Sequence, residues 1–153
     1  MSAAGYEIGE VAAFAPLSPT EAGADAVAAF KRDGVVCLRG AFEPKWLAGL
    51  ESAIPPLIAR GGINAANIKG DADDPGYFFY DFMMWPEVEA FRRFIFESNA
   101  PSLYRSLLET EKLVFYYDFL IIKFPLCTGS PTPWHHDMSY YPLEGTQIAN
   151  CWT

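Results

Sequence analysis

Cysteine and basic residues are scarce in this chain of 153 residues, and each shortage argues against a class of protein. The three cysteines, Cys37, Cys127 and Cys151, are scattered and lack CxxC spacing, which argues against a disulfide framework or a structural zinc site. Lys and Arg together number 11 against 19 Asp and Glu, so the formal net charge is -8. A nucleic-acid backbone or an anionic membrane surface is therefore not expected as the main partner.

Long apolar runs are absent too, although hydrophobic residues make up 51% of the chain. No stretch approaches the roughly 20 consecutive apolar residues that span a bilayer. Residues 1–19 have no basic start and no continuous apolar run, so they do not resemble a secretory signal. The sequence favours a cytoplasmic protein in which residues 1–153 form a single domain around one core.

The first part of the chain, about residues 18–110, has mainly helical patterning. A polar residue near Ser18 precedes apolar positions spaced for one helix face, and Gly34 falls where a left-handed C-terminal cap would lie. The run VVCLRG then indicates a short strand that ends at Gly40. A second helix is expected to start near Pro44, because proline is favoured in the first helical turn.

Prolines and turn-forming residues divide the rest of this helical part. The tandem prolines Pro55 and Pro56 should kink or end the second helix. Residues 61–76 are rich in Gly, Asn and Asp and indicate a loop. Residues 86–110 indicate two further helical pieces, with a break near Asn99.

The second part, about residues 113–153, is expected to be rich in β-structure. LVFYYDFLIIKF (113–124) is dense in β-branched and aromatic residues without helical periodicity, which predicts a long buried strand. Residues 127–133 indicate a turn-rich connector, and QIANCWT (147–153) looks like the opening of another strand. Because Thr153 falls inside that expected strand, without a cap or a turn, we expect the chain to be a fragment or a truncated gene product.

The only two histidines of the chain are adjacent, His135 and His136, and Asp137 follows them. In an extended strand, side chains alternate between faces, so His135 and Asp137 would point the same way and His136 the opposite way. A His and a carboxylate two residues apart can occupy two adjacent corners of an octahedral metal ion. With a distant second His they would form a 2-His-1-carboxylate facial triad, whose open positions suit Fe(II) that binds a 2-oxo acid and O₂.

The His-x-Asp pattern is weakly specific by itself. A simpler interpretation is a polar turn in which His135 and Asp137 only hydrogen-bond to each other. The residues around the pattern therefore carry much of the evidence for a metal site.

Three segments of the chain share features with one enzyme family. SPTPWHHDMSYYPLEGTQIANCWT (130–153) combines a Pro-Trp-His-x-Asp core, an aromatic-Pro-Leu-x-Gly run and a Trp-Thr pair. DFLIIKFP (118–125) and FKRDGVVCLRGAF (30–42) match an upstream strand and an N-terminal helix and strand. Together these segments resemble the phytanoyl-CoA dioxygenase family, strongly over residues 113–153 and loosely over 61–85.

The resemblance implies both a fold and a chemistry. The fold would be α+β or mainly β, a double-stranded β-helix (jelly roll) with N-terminal helices packed against it. The chemistry would be that of a non-haem Fe(II)- and 2-oxoglutarate-dependent dioxygenase, which uses O₂ to hydroxylate a small organic substrate. The resemblance implies His135 and Asp137 as iron ligands, Trp152 and Phe119 beside the 2-oxoglutarate pocket, and no separate catalytic side chain.

The chain departs from the family pattern in two ways. His136 stands between the two ligands where many members carry Gln, and strand alternation favours His135 as the ligand. In the family, the second His ligand and the Arg that pairs with 2-oxoglutarate lie well downstream of Trp152, and this chain has no further His. We therefore expect the chain alone to be catalytically inactive and to represent the N-terminal half of such an oxygenase.

Two other interpretations remain open. Halogenases in the same superfamily replace the carboxylate ligand with a small residue so that a halide can bind the iron, and the presence of Asp137 therefore favours hydroxylation. A non-catalytic binding or scaffold module, derived from such an oxygenase and pairing with a partner through an open sheet edge, would also account for the missing His and Arg.

Overall fold

The computed structural model describes residues 10–62, 64–69, 77–123 and 135–153. The helices within these ranges are α1 (Ala24–Asp33), α2 (Pro44–Arg60), α3 (Glu89–Glu97) and α4 (Ala100–Leu108). The strands are β1 (Ala13–Phe14), β2 (Cys37–Leu38), β3 (Ala66–Lys69), β4 (Tyr77–Phe82) and β5 (Phe119–Lys123). The described elements thus mix α and β structure, and the jelly roll stays a prediction. No helix in the described ranges is long and apolar enough to cross a membrane.

One compact unit comprises Met1–Pro44 and Phe96–Val114. In it α1 packs against α4, and β1 pairs with β2 in parallel. Most of its buried side chains are alanines, which let the backbones approach closely. The buried residues in the described part of this unit are Ala22, Ala26, Ala29, Ala100 and Leu103.

Asn99 lies between α3 and α4 and binds two loops of the same unit. Its side-chain amide donates to the carbonyl oxygens of Pro19 at 2.6 Å and Ala41 at 2.7 Å. The predicted break between two helices near Asn99 is confirmed, since α3 ends at Glu97 and α4 begins at Ala100.

The second unit comprises Lys45–Ile95 and Phe115–Thr153, and its core is built around β4. Strand β4 is the central strand of an antiparallel sheet in the order β3-β4-β5. Leu57 from α2, Phe79 from β4 and Met84 just after β4 form the buried cluster. Six partly buried residues pack around it: Ile58, Ala65, Val88, Phe91, Leu120 and Ile122.

The opposite face of this sheet is aromatic and partly open to solvent. We call it the aromatic face, and it consists of Phe78, Tyr80, Phe82, Phe119 and Ile121, which alternate with the core-facing residues of β4 and β5. The Phe119 ring meets the rings of Tyr80 and Phe82 edge-on, with centroids 6.1 and 6.3 Å apart. Phe119 is 50% exposed and Ile121 is 42% exposed, so this face is incompletely covered.

The first two helices differ from their predicted bounds. Helix α1 begins at Ala24 rather than near Ser18, because Ser18 pairs with Glu21 through two backbone hydrogen bonds of 3.2 Å. The left-handed cap at Gly34 is confirmed by its φ of 73°. The predicted strand VVCLRG shrinks to the two residues of β2.

Helix α2 continues through Pro55 and Pro56 to Arg60, so the prediction that these prolines could end it is wrong. Each proline removes one helical N–H donor. Leu57 and Ile58 follow directly and pack in the core of the second unit, and this burial stabilises the last turns of α2.

The predicted loop at residues 61–76 is wrong for the four residues of β3. Ala66–Lys69 pairs with β4, Ala66 lying opposite Tyr80, and local composition does not reveal such a partner. No sequence prediction covers strand β4, although its run YFFYDF is aromatic-rich. Residue 63 and residues 70–76 lie outside the described residues.

The prediction of a long buried strand over residues 113–124 is also wrong. Among the described residues 113–123, only Phe119–Lys123 is a strand, and its side chains alternate between exposed and half-buried. Asp118 lies at the end of the ladder, where its backbone carbonyl accepts the N–H of Met83 at 3.0 Å and its carboxylate accepts the N–H of Met84 at 3.2 Å. The expected strand at residues 147–153 is not formed either, and the connector 127–133 lies outside the described residues.

Asp81 is buried in the second unit with one carboxylate oxygen unpaired. It is 1% exposed, and its Oδ1 accepts the Phe82 N–H at 2.9 Å. Its Oδ2 has no hydrogen-bond partner in the described part of the chain. Oδ2 lies so close to Gly62 that no Cβ fits there, which explains a residue without a side chain at that position.

Asp81→Asn is therefore expected to raise the free energy of unfolding by about 1–3 kcal/mol. The amide keeps the oxygen that binds the Phe82 N–H and replaces the unpaired carboxylate oxygen with an uncharged amide group. Urea unfolding of both proteins measures the difference. Glu51→Gln on exposed α2 surface is the matched control and should change stability by about 0.5 kcal/mol or less. A destabilised Asp81→Asn protein would contradict the account.

Candidate metal centre

His135, His136 and Asp137 begin the last described stretch, which belongs to the second unit. His136 has extended backbone angles, with φ -121° and ψ 143°. Asp137–Ser139 then forms a single 3-10 turn, closed by the Tyr140 N–H donating to the Asp137 carbonyl at 2.9 Å. None of the three residues lies in a strand, so the expectation of a strand through them is wrong, although the His136 backbone is extended.

The side chains of His135 and Asp137 nevertheless meet. His135 Nε2 and Asp137 Oδ1 are 3.3 Å apart. Two ligand atoms with bonds of about 2.1 Å at right angles on one metal ion lie about 3 Å apart. The donor pair thus has nearly the spacing of two adjacent metal ligands, and it equally matches the simpler interpretation of a hydrogen-bonded polar turn.

His136 has a different partner from His135. Its Nε2 lies 3.4 Å from the Ser139 hydroxyl oxygen, on the 3-10 turn that follows. The two adjacent imidazoles are therefore distinguished by their contacts. Only His135 is paired with the carboxylate that would share a metal ion with it.

Asp137 is also held from its other side. Its Oδ2 accepts a hydrogen bond from the side-chain amide of Asn150. No motif in the sequence points to Asn150, which stands 13 residues after Asp137 and forms no recognisable spacing with it. The carboxylate therefore has a distinct partner at each oxygen.

Three tyrosines pack together beside His135 and Asp137, which we call the candidate centre. The Tyr141 ring meets the rings of Tyr116 and Tyr117 edge-on, with centroids 5.9 and 5.7 Å apart. The Tyr117 ring also packs against the ring of Phe119 in the aromatic face, with centroids 6.4 Å apart. Tyr117 lies close enough to Asp137 for the carboxylate charge to act on its phenol. The aromatic face therefore extends to the candidate centre.

Ionisation of the Tyr117 phenol should lower the free energy of unfolding in alkaline solution. Burial raises the pKa of its phenol above 10.0, and the hydrogen bond with Tyr141 and the charge of Asp137 raise it further. Above about pH 10 the folded state keeps the phenol proton, whereas the unfolded chain loses it. The contribution of Tyr117 to the free energy of unfolding is therefore complete below about pH 10 and is lost as the pH rises beyond it. Tyr117→Phe should lose less unfolding free energy than the wild type between about pH 9 and 11 in urea titrations. Equal losses would contradict this assignment.

Phe119 and Trp152, the two residues expected beside a 2-oxoglutarate pocket, have different surroundings. Phe119 joins the aromatic face and contacts Tyr117. Trp152 is 85% exposed. The structure thus links Phe119 to the candidate centre through Tyr117, and the pocket roles of both residues stay predictions.

The candidate centre offers two protein donors. Within the described ranges, no three His, Cys, Asp or Glu side chains gather as a metal site requires. The donor types nevertheless fit Fe(II), because an imidazole and a carboxylate are two of the three ligands in a facial triad.

Comparisons of the chain with protein-family models, curated proteins and solved structures give no match. The interpretation of the centre accordingly depends on the sequence motif and on the local geometry of His135, Asp137 and their neighbours.

Proposed function

We propose that this chain carries two iron ligands of a cytoplasmic, non-haem Fe(II)- and 2-oxoglutarate-dependent dioxygenase that hydroxylates a small organic substrate. The proposal follows the resemblance to the phytanoyl-CoA dioxygenase family, including its jelly-roll fold. The observation that carries it is the 3.3 Å approach of His135 Nε2 to Asp137 Oδ1. Asp137, which a halogenase would lack, favours hydroxylation.

His135 Nε2 and Asp137 Oδ1 would hold the metal at adjacent positions. Iron with bound 2-oxoglutarate and O₂ supplies the oxidising chemistry in such enzymes. The protein's own contribution is to orient the ligands and to border the centre with apolar surface. Tyr117 would provide that surface, which would reduce the number of water molecules near the metal.

Two donors hold a divalent ion weakly, and the proposal therefore includes a ligand from outside this chain. His136 is the only other imidazole, and it contacts Ser139. We expect the isolated chain to bind metal weakly and to produce no succinate from 2-oxoglutarate.

The test is a spectroscopic titration of the chain with Co(II), an air-stable substitute for Fe(II). Addition of 2-oxoglutarate should change the Co(II) absorption spectrum and tighten binding, because its keto and carboxylate oxygens chelate the metal. Glutarate, which lacks the keto oxygen, is the matched control and should have little effect. Co(II) binding no stronger than that of the His135→Ala/Asp137→Ala double variant would refute the proposal.

A binding or scaffold module is the second candidate, and the aromatic face favours it. Phe119 and Ile121 are about half exposed on β5, which is an edge strand of the sheet within the described residues. Exposed apolar strands at a sheet edge pair readily with other chains. Such a module needs no metal, so the same Co(II) titration separates the two candidates.

A further inference from the structure

We propose that Asn150 is the positioning residue for the iron-binding carboxylate of Asp137. This inference rests on the dioxygenase function proposed above. It assigns a role to a side chain that lies outside the His-x-Asp motif and donates a hydrogen bond to the motif's carboxylate.

The hydrogen bond from Asn150 separates the roles of the two oxygens of Asp137. Oδ2 accepts from the Asn150 amide, while Oδ1 lies 3.3 Å from His135 Nε2. A carboxylate with both oxygens available can bind a metal through both and so occupy two positions. With Oδ2 engaged, Oδ1 remains as the single donor, which preserves the open positions that a 2-oxo acid and O₂ require.

The chemistry of the amide suits this role. An Asn amide donates a hydrogen bond without carrying charge. A Lys or Arg in its place would offset the negative charge of Asp137 and repel an incoming cation. Asn150 therefore fixes the orientation of the carboxylate and leaves its charge available to the metal. Partners of this kind commonly tune the affinity of metal sites.

The side chains of the candidate centre are partly exposed, so burial does not fix the orientation of the Asp137 carboxylate. The side chains of His135 and Asp137 are 35% and 38% exposed. A carboxylate in such surroundings rotates freely unless a hydrogen bond holds it. Tyr141, between Asp137 and Asn150 in sequence, packs on Tyr117 and anchors the segment that returns to Asp137.

The test compares Co(II) dissociation constants of Asn150→Leu, Asn150→Gln and the wild-type chain. Leucine has nearly the shape of asparagine but cannot donate, and glutamine keeps the donor on a longer side chain. We expect Asn150→Leu to weaken Co(II) binding by about tenfold to hundredfold and Asn150→Gln to recover part of the loss. Because Asn150 is exposed, the urea midpoint of Asn150→Leu should stay near that of the wild type.

Two controls make the outcome decisive. Thr146→Val, another exposed polar-to-apolar change in the same segment, should leave Co(II) affinity unchanged, and His135→Ala sets the level of non-specific binding. If the wild type exceeds that level and Asn150→Leu binds as tightly as the wild type, the role of Asn150 is refuted while the proposed function stands. If the wild type itself does not exceed that level, the proposed function fails, and the role of Asn150 fails with it.

Discussion

His135→Ala is expected to lower the Co(II) affinity of the chain to that of ordinary surface side chains, a larger loss than Asn150→Leu causes. Asp137→Ala should do the same. Each substitution removes one of two donors that approach to 3.3 Å, and a single remaining donor binds no better than an ordinary surface side chain. Spectroscopic Co(II) titration measures the effect.

His136→Ala provides the matched control, since it removes the neighbouring imidazole. His136 contacts the Ser139 hydroxyl rather than Asp137, so its loss should leave Co(II) affinity essentially unchanged. A loss of affinity in His136→Ala as large as that in His135→Ala would show that the wrong histidine had been assigned as the ligand.

Phe79→Ala is expected to lower the free energy of unfolding by about 3–5 kcal/mol. Phe79 is 1% exposed and packs with Leu57 and Met84 in the core of the second unit. Its removal takes away buried apolar surface and leaves a cavity that the surrounding strands cannot fully close. Urea unfolding, followed by the midpoint and slope of the transition, measures the loss.

Phe119→Ala is the control on the opposite face of the same sheet. Phe119 is 50% exposed and makes edge-on ring contacts, so its truncation should cost about 1.5 kcal/mol or less. Equal losses for the two phenylalanines would mean that the sheet does not have one core face and one open face.

Local signals in the sequence predicted several elements correctly. Gly34 ends α1 in a left-handed conformation, and Asn99 separates α3 from α4. The cap at Gly34 depends on the residue itself, because glycine adopts positive φ easily. The break at Asn99 also has distant contacts, since its side chain donates to the backbone carbonyls of Pro19 and Ala41.

The elements that sequence reasoning missed depend on distant partners. Strand β3 exists because Ala66–Lys69 pairs with β4, and α2 passes through Pro55 and Pro56 because Leu57 is buried beyond them. The sequence predicts a strand at residues 113–118, but the Asp118 carboxylate accepts the backbone N–H groups of Met84 and Trp85 just after β4, and the ladder ends at Phe119. Local composition does not encode these contacts.

In the candidate centre too, the sequence predicts the local features but not the contacts with distant residues. The motif places His135 and Asp137 two residues apart, and sequence alone was enough to propose them as a pair. The strand expected to carry them was wrong, because a 3-10 turn begins at Asp137. Asn150 and Tyr117 reach Asp137 from distant positions in the chain, and no spacing rule connects them to it.

The most direct test of an iron site at His135 and Asp137 is an NMR measurement of the imidazole nitrogens during titration with Zn(II), a diamagnetic probe of the same donors. The chain has only two histidines, so the spectrum contains two rings, and His136→Gln assigns them. The account predicts that Nε2 of His135 shifts on titration while the His136 ring does not, and that Asp137→Asn requires far more Zn(II) for the same shift. A spectrum in which neither ring responds, or only His136 responds, would contradict the proposed iron site.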